Sequence, residues 1–226
     1  MNATLAVAGG TSVSIPVSCI EQRRWSPGAE RNAFSTSTQV AYTSLRRSVT
    51  KMTLESRARD GSWTTDQGGV WRDVSDQHTR TGVHTRTGAM TDLYAARRAE
   101  LESVLERATP QPDQLGLIAF VGDELASVDL VCRADAWRSL HGRVVRGHAF
   151  EALERTPSAS ATSEHARDVL EGVPSARFEL AAAAVGLGDE LRVADRIVVN
   201  GAGRTLEGAG LVLDGGVVQL SVFQAA

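Results

Sequence analysis

Apolar and polar residues alternate near the start of the chain, between residues 4 and 19. In the segment TSVSIPVSC, Val13, Ile15 and Val17 fall on one side, while serine residues occupy the other. An alternation with a period of two is typical of a half-buried β-strand. The pattern predicts a core strand over residues 11–19 that ends at Cys19.

Helical periodicity is clearest over residues 91–108, where apolar residues recur every three or four positions. Pro110 and Pro112 then predict the end of this helix. A second helix is predicted over residues 134–155, and a third begins at Ser163, which is a suitable cap. The inward positions predicted for the second helix are Trp137, Leu140, Val144 and Phe150.

Two pairs of apolar runs are separated by turn residues, and each pair predicts a β-hairpin. The first pair, LGLIAFV and LASVDLVC, flanks Gly122 and Asp123, and the second turns at Asp214 and Gly215. Asp129 interrupts an apolar strand, so its alternation with Val128 and Leu130 favours an outward side chain. The last strand, VVQLSVF, is apolar enough to lie at a sheet edge and pair across subunits.

The segments between these elements are polar. Residues 21–50 resemble an irregular loop, in which the periodicity of QVAYTSLRRSVTKM does not decide between a short helix and an extended segment. Residues 56–88 contain two copies of HTRTG, at 78–82 and 84–88, and are predicted to be a loop. The whole chain is therefore predicted to be a single α+β domain, residues 1–226, with a mainly antiparallel sheet and two to three packed helices.

Composition narrows the classes of function. The 226 residues carry a net charge of −3, and Lys51 is the only lysine, so a basic surface for nucleic acid is not expected. Neither a signal peptide nor an apolar run of about 20 residues is visible, which favours a cytoplasmic protein without membrane contact. The histidines and the two cysteines lack the spacing of metal ligands, and no glycine motif indicates a nucleotide cofactor.

Four fragments, taken in order, resemble a bacterial domain family. The fragments are VSIPVSCIEQRRW (13–25), TSLRRSV (43–49), DQGGVWRDV (66–74) and VVQLSVF (217–223). The family is associated with ADP-ribosylglycohydrolases and with the rhodanese/phosphatase superfamily, and its activity is uncharacterised. Gln22 to Arg24 and the stretch 75–88 depart from its pattern. The residues that match it are Cys19, Glu21, Trp25, Ser44, Leu45, Arg46, Gln67 and Trp71.

The matching residues include two candidates for catalysis. Cys19 is a nucleophile if a base or cation lowers its pKa, and a small buried hydrophobic residue otherwise. Glu21 is a general base, a ligand for a ribose hydroxyl or a capping acid, and the alternative is a solvated carboxylate.

The other matching residues are candidates for ligand binding. Trp25 and Trp71 are suited to stack on a base, or else to anchor a loop. Arg46, beside Ser44, is suited to hold a pyrophosphate, or else to form a salt bridge with Glu21 or another acid. Gln67 is suited to bind an amide edge or to satisfy loop backbone.

Three functions remain open on this basis, and the third is a thiol-based redox protein that acts through Cys19. In the first, the end of strand 11–19 and the segments 43–47 and 66–72 form a cleft for a small molecule, such as an ADP-ribose or NAD derivative, with or without catalysis. In the second, the protein is a non-catalytic homo-oligomeric scaffold. The resemblance and the polar residues at the end of the predicted strand favour the first.

Overall fold

The computed structural model describes residues 4–15, 17–21, 39–156, 159–182 and 185–225. Within these ranges the chain forms six helices and six strands. The helices are α1 (Thr43–Asp60), α2 (Gln67–Thr81), α3 (Met90–Ala96), α4 (Arg98–Arg107), α5 (Ala134–Ala152) and α6 (Ser163–Ser175). The strands are β1 (Gly116–Val121), β2 (Glu124–Val131), β3 (Phe178–Ala182), β4 (Asp189–Val199), β5 (Ala202–Leu213) and β6 (Gly216–Gln224).

The six strands form one antiparallel sheet in the order β1-β2-β6-β5-β4-β3. Tight turns connect β4 to β5 and β5 to β6, and each contains a residue with positive φ followed by glycine: Asn200-Gly201 and Asp214-Gly215. Two consecutive positive φ angles match the twist of the flanking strands. The α+β class, the antiparallel sheet and both predicted hairpins are confirmed, and the structure describes more helices than the two to three predicted.

The two faces of the sheet differ in polarity. On one face, Val169 and Val173 of α6 pack against apolar strand residues such as Val193, Ile197 and Val222. The opposite face carries Ser127, Asp129, Gln219, Ser221 and Glu190, all buried beneath the helical layer. Because buried polar groups are costly unless they are paired, this polar face must form an organised network.

Helix α1 lies between this polar face and a helical core. Leu45 and Val49 pack with Val70, Leu93 and Phe150 from the other helices. The opposite side of α1 presents buried polar residues, Thr43, Arg46, Thr50 and Thr53, toward the sheet. This double-sided burial explains why the hydrophobic periodicity of the segment did not decide between a helix and an extended chain.

The predicted strand over residues 11–19 is wrong. The described residues of this region form only isolated bridges, Ala6 with Leu187 and Glu21 with Ala89. Val17 is 81% exposed and Ile15 is 47% exposed. An alternating segment becomes a half-buried strand only when it pairs with a neighbouring strand. The described part of residues 11–19 does not extend the sheet, whose two edge strands are β1 and β3.

The predicted loop over residues 56–88 contains α2, which the polar composition concealed. The first HTRTG copy ends this helix, and Gly82 forms its left-handed C-cap. The predicted helix over 91–108 is divided into α3 and α4 at Arg97. The third helix begins as predicted, but its N-cap is Thr162, which forms a capping box with His165, rather than Ser163.

Two predictions about the strands are also wrong. The last strand, β6, lies between β2 and β5 rather than at an edge, so both of its backbone sides are already paired. It therefore has no free edge to pair across subunits. Asp129 is 5% exposed rather than outward, because β2 is covered on both faces and its polar side meets Arg46.

Candidate functional site

The segment 18–21 is held against α2 by side chains that the sequence had marked as ligand contacts. The backbone N–H of Cys19 donates to Oε1 of Gln67 at 2.7 Å, and Nε2 of Gln67 donates to the Cys19 carbonyl at 2.7 Å. The indole N–H of Trp71 donates to the same carbonyl at 2.9 Å. Gln67 thus forms the paired donor and acceptor contacts with the Cys19 backbone that a neighbouring strand would form. Of the two roles expected for Gln67, this is the second, that of satisfying loop backbone.

Glu21 connects this segment to the start of α3. Oε2 of Glu21 accepts a hydrogen bond from the Thr91 hydroxyl at 2.8 Å, and the Met90 amide donates to the Ile20 carbonyl at 3.3 Å. The thiol of Cys19 faces the Glu21 carbonyl at 3.5 Å. Cys19, Glu21, Gln67 and Trp71 therefore lie together, whereas Trp25 falls outside the described residues.

Removing the Gln67 side chain should loosen this segment. Gln67→Ala is expected to lower the free energy of unfolding by about 1–2 kcal/mol, because two hydrogen bonds to a half-buried backbone are lost. Amide hydrogen exchange at Cys19 should accelerate in this variant. Gln67→Glu should not preserve protection of the Cys19 amide, because its second carboxylate oxygen would face the Cys19 carbonyl to which Nε2 of Gln67 donates. Equal protection in Gln67→Ala and the unmodified protein would contradict the role.

Ser44 and Arg46 lie apart from this group. The Ser44 amide donates to Oε2 of Glu151 at 3.0 Å. Arg46 is 1% exposed and forms a bidentate ion pair with Asp129, with Nη1 3.0 Å from Oδ2. Arg46 therefore takes the second of its two expected roles, a salt bridge, and its partner is Asp129 rather than Glu21.

Asp129 is the centre of a buried polar network. Its carboxylate also accepts hydrogen bonds from Ser127 at 2.9 Å and Ser221 at 2.7 Å. The His148 ring contacts it through Nε2 at 3.1 Å and shares a 2.6 Å hydrogen bond with Thr43 through Nδ1. The adjoining cavity has a volume of only about 20 Å³, so this network is too enclosed for a small-molecule ligand.

The Asp129 carboxylate gives stability a specific dependence on pH. Burial alone would raise its pKa, but the Arg46 charge and the hydrogen bond from His148 hold the pKa well below its usual value. A group whose pKa is lower in the folded state stabilises the protein above its unfolded pKa, about 3.9, and this contribution is lost as the pH falls through the folded pKa.

Asp129→Asn should therefore be less stable than the unmodified protein at pH 7 and should lose stability less steeply below about pH 4. Urea unfolding between pH 2 and pH 7 measures both effects. Parallel pH profiles for the two proteins would contradict the prediction.

A cleft of about 300 Å³ lies beside the start of α3, at the lower end of the range for ligand pockets. Buried Tyr94 and Leu101 form its floor, and Tyr94 stacks on Phe150 at 4.8 Å between ring centroids. We call it the α3–α4 cleft. Its polar lining consists of Gln39, Thr91, Asp92, Arg98, Glu102 and Arg146.

The charges of the α3–α4 cleft are of both signs. Nη2 of Arg146 pairs with Oε1 of Glu102 at 2.9 Å. Oδ2 of Asp92 accepts a hydrogen bond from the Thr87 hydroxyl. Arg98 forms neither a hydrogen bond nor an ion pair with another residue that the structure describes. Thr91 lines the cleft and donates its hydroxyl to Glu21, so the segment 18–21 contacts the cleft lining through this residue.

The sequence analysis did not single out the lining of this cleft. Arg98 and Glu102 are four residues apart, which places them along one side of α4, and Thr91 lies on α3. That spacing was visible in the sequence, but it is equally typical of a solvated helix face. Residues from before α1 and from α5 complete the site, and only the tertiary fold brings them together.

Comparisons with known proteins define the family. A search of the curated proteins and a search of the solved structures gave no match. No helix in the described ranges is both long and apolar enough to cross a membrane. One family model, described as the ARG and Rhodanese-Phosphatase-superfamily-associated Protein domain (ARPP-1), matches residues 1–223. Because this match extends over nearly the whole chain, the protein belongs to that family, whose members are associated with ADP-ribosylglycohydrolases and with rhodanese/phosphatase proteins.

Proposed function

We propose that this protein binds a small molecule of ADP-ribose or NAD metabolism in the α3–α4 cleft. The observation that carries the proposal is a ligand-sized cleft above an apolar floor, lined by Arg98, whose guanidinium has no partner among the described residues. Arginine is well suited to phosphate and pyrophosphate groups because its planar guanidinium donates two parallel hydrogen bonds. The association of the family with ADP-ribosylglycohydrolases supports this choice of ligand.

The residues proposed from the sequence have separate roles in this account. Gln67 and Trp71 position the segment 18–21, and Glu21 positions the rim of the cleft through Thr91. Arg46 and Ser44 hold α1 in place against the sheet and against Glu151. Glu21 is also our candidate for acid–base chemistry, since its carboxylate is one hydrogen bond away from a residue that lines the cleft. The Cys19 thiol lies 3.5 Å from the Glu21 carbonyl, and its role as a nucleophile stays a prediction.

Ligand binding to the folded state raises thermal stability by mass action, by about 2.7 kcal/mol at a hundredfold excess over the dissociation constant. We expect ADP-ribose, and at least one of NAD, AMP and ribose 5-phosphate, to raise the melting temperature. Arg98→Ala should reduce the shift, whereas Arg107→Ala should retain it in full, because Arg107 lies on α4 but outside the cleft lining. No shift with any of the four compounds would contradict the proposal.

The acid–base role has its own test. If ADP-ribose or NAD is turned over, Glu21→Gln should retain the thermal shift and lose turnover, because the amide cannot accept a proton. Unchanged turnover in Glu21→Gln would remove Glu21 from the chemistry and leave the binding site intact.

A further inference from the structure

Two opposite charges line the α3–α4 cleft without pairing with each other. Arg98 has no ion-pair partner among the described residues, and within the same ranges the Asp92 carboxylate accepts a hydrogen bond from the uncharged hydroxyl of Thr87 alone. The other two charges, Arg146 and Glu102, pair with each other at 2.9 Å. As far as the described residues show, the cleft therefore offers a ligand one cation and one anion that have no charged partner.

A ligand that satisfies both groups must combine an anionic group with hydrogen-bond donors. Inorganic phosphate supplies an anionic group, but its negative charge would be repelled by the Asp92 carboxylate, and it carries no sugar diol. A neutral sugar supplies the hydrogen-bond donors and leaves Arg98 without a partner. Carboxylates bind the hydroxyl groups of ribose, and guanidinium groups bind phosphate. A sugar phosphate with a free vicinal diol satisfies both ends at once.

The other lining groups favour a phosphate over a smaller anion. Arg146 is held in place by Glu102 and adds a second guanidinium beside Arg98, and Thr91 adds a hydroxyl. Several donors suit a phosphate or pyrophosphate, which presents several anionic oxygens in different directions, better than a carboxylate with two. Asp92 retains Oδ1 for a hydroxyl, since its contact with Thr87 uses Oδ2.

We propose that the α3–α4 cleft recognises a phosphorylated ribose, with Arg98 on the phosphate and Asp92 on the 2,3-diol. This inference rests on the proposed function and narrows its ligand to the shared chemical unit, whether that unit is a free sugar phosphate or part of ADP-ribose. It also assigns a specificity-determining role to Asp92, which the family resemblance did not single out.

Calorimetric titration with ribose 5-phosphate, 2-deoxyribose 5-phosphate, inorganic phosphate and ADP-ribose tests the inference. We expect the unmodified protein to bind ribose 5-phosphate at least about tenfold more tightly than the deoxy sugar, because the deoxy sugar leaves Asp92 without its donor. Asp92→Asn should weaken binding of ribose 5-phosphate and reduce the preference to less than about threefold. Arg98→Ala should weaken both sugar phosphates alike and keep the preference.

The outcomes separate this inference from the proposed function. Equal binding of the two sugar phosphates, or a preference that persists in Asp92→Asn, overturns the role of Asp92 while binding of ADP-ribose still supports the cleft. Failure of all four compounds to bind overturns both. Tighter binding of a zwitterionic amino acid such as L-alanine, which would also satisfy the two charges, overturns the sugar phosphate. Asp113→Asn, an exposed change outside the cleft lining, is the matched control and should bind like the unmodified protein.

Discussion

Replacing Arg46 with alanine is expected to lower the free energy of unfolding by about 3–5 kcal/mol, because it leaves a buried carboxylate without its counter-charge. Arg46 is 1% exposed and Asp129 is 5% exposed, so water cannot replace the lost guanidinium. The remaining donors, Ser127, Ser221 and His148, provide hydrogen bonds to Asp129 but not the full charge of Arg46. Arg46 also lies over the Phe223 ring at 5.1 Å, so the variant loses packing as well.

Urea unfolding at pH 7 measures this effect, and Arg72→Ala is its matched control. Arg72 pairs with Asp66 at 3.0 Å on the surface, where both side chains are more than half exposed. Exposed pairs contribute about 0–1 kcal/mol, so this variant should be nearly as stable as the unmodified protein. The double variant Arg46→Met with Asp129→Leu should lose less stability than the two single changes combined, because it removes both charges together. Similar losses in Arg46→Ala and Arg72→Ala would contradict the network.

Phe150→Ala should destabilise the helical core by about 3–5 kcal/mol, since it removes a fully buried aromatic ring and leaves a cavity. The Phe150 ring stacks on Tyr94 at 4.8 Å and lies 5.7 Å from Tyr42, between ring centroids. Because Tyr94 forms part of the cleft floor, the same change should weaken ligand binding even where the protein stays folded. Denaturant unfolding and the ADP-ribose thermal shift measure the two consequences separately.

Phe178→Ala provides the control for Phe150. Phe178 is half-buried on the edge strand β3, so the same chemical change should cost less stability and leave the ligand shift intact. A loss of less than about 1 kcal/mol in Phe150→Ala would contradict the assignment of Phe150 to the centre of the helical core.

The sequence was sufficient to predict those elements whose buried residues recur with one clear period, either that of a helix or that of a strand. The hairpin β1–β2 and helix α5 were predicted because each combines one apolar face with clear turn or end signals. Helices α1 and α2 were not predicted, and the reason differs between the two. Helix α1 buries Arg46 and threonine residues against a polar sheet face, so its hydrophobic period is obscured. Helix α2 buries only Val70, Val74 and two polar residues, so its composition resembles a loop.

The candidate site was predictable only in part. The structure brings Cys19, Gln67 and Trp71 of the matching fragments into contact with each other, and Arg46 pairs with Asp129 instead. The α3–α4 cleft was not predicted because nothing in the sequence distinguishes its polar lining residues from those of any exposed helix face. What distinguishes Arg98 from other exposed arginines is the absence of a described partner beside a cleft, and that property depends on the folded chain. Asp129 shows the reverse error, since an acid in an apolar strand was read as solvent-facing although it pairs with Arg46, distant in sequence.

The most direct test of the account is calorimetric titration of ADP-ribose into the unmodified protein, Arg98→Ala and Arg107→Ala. We predict saturable binding to the unmodified protein and to Arg107→Ala, with affinity reduced by at least about tenfold in Arg98→Ala, because a charge-assisted contact to phosphate is lost. Equal affinity in all three proteins would place the ligand elsewhere on the molecule. No binding to the unmodified protein would contradict the central claim that the α3–α4 cleft is a site for ADP-ribose or a related molecule.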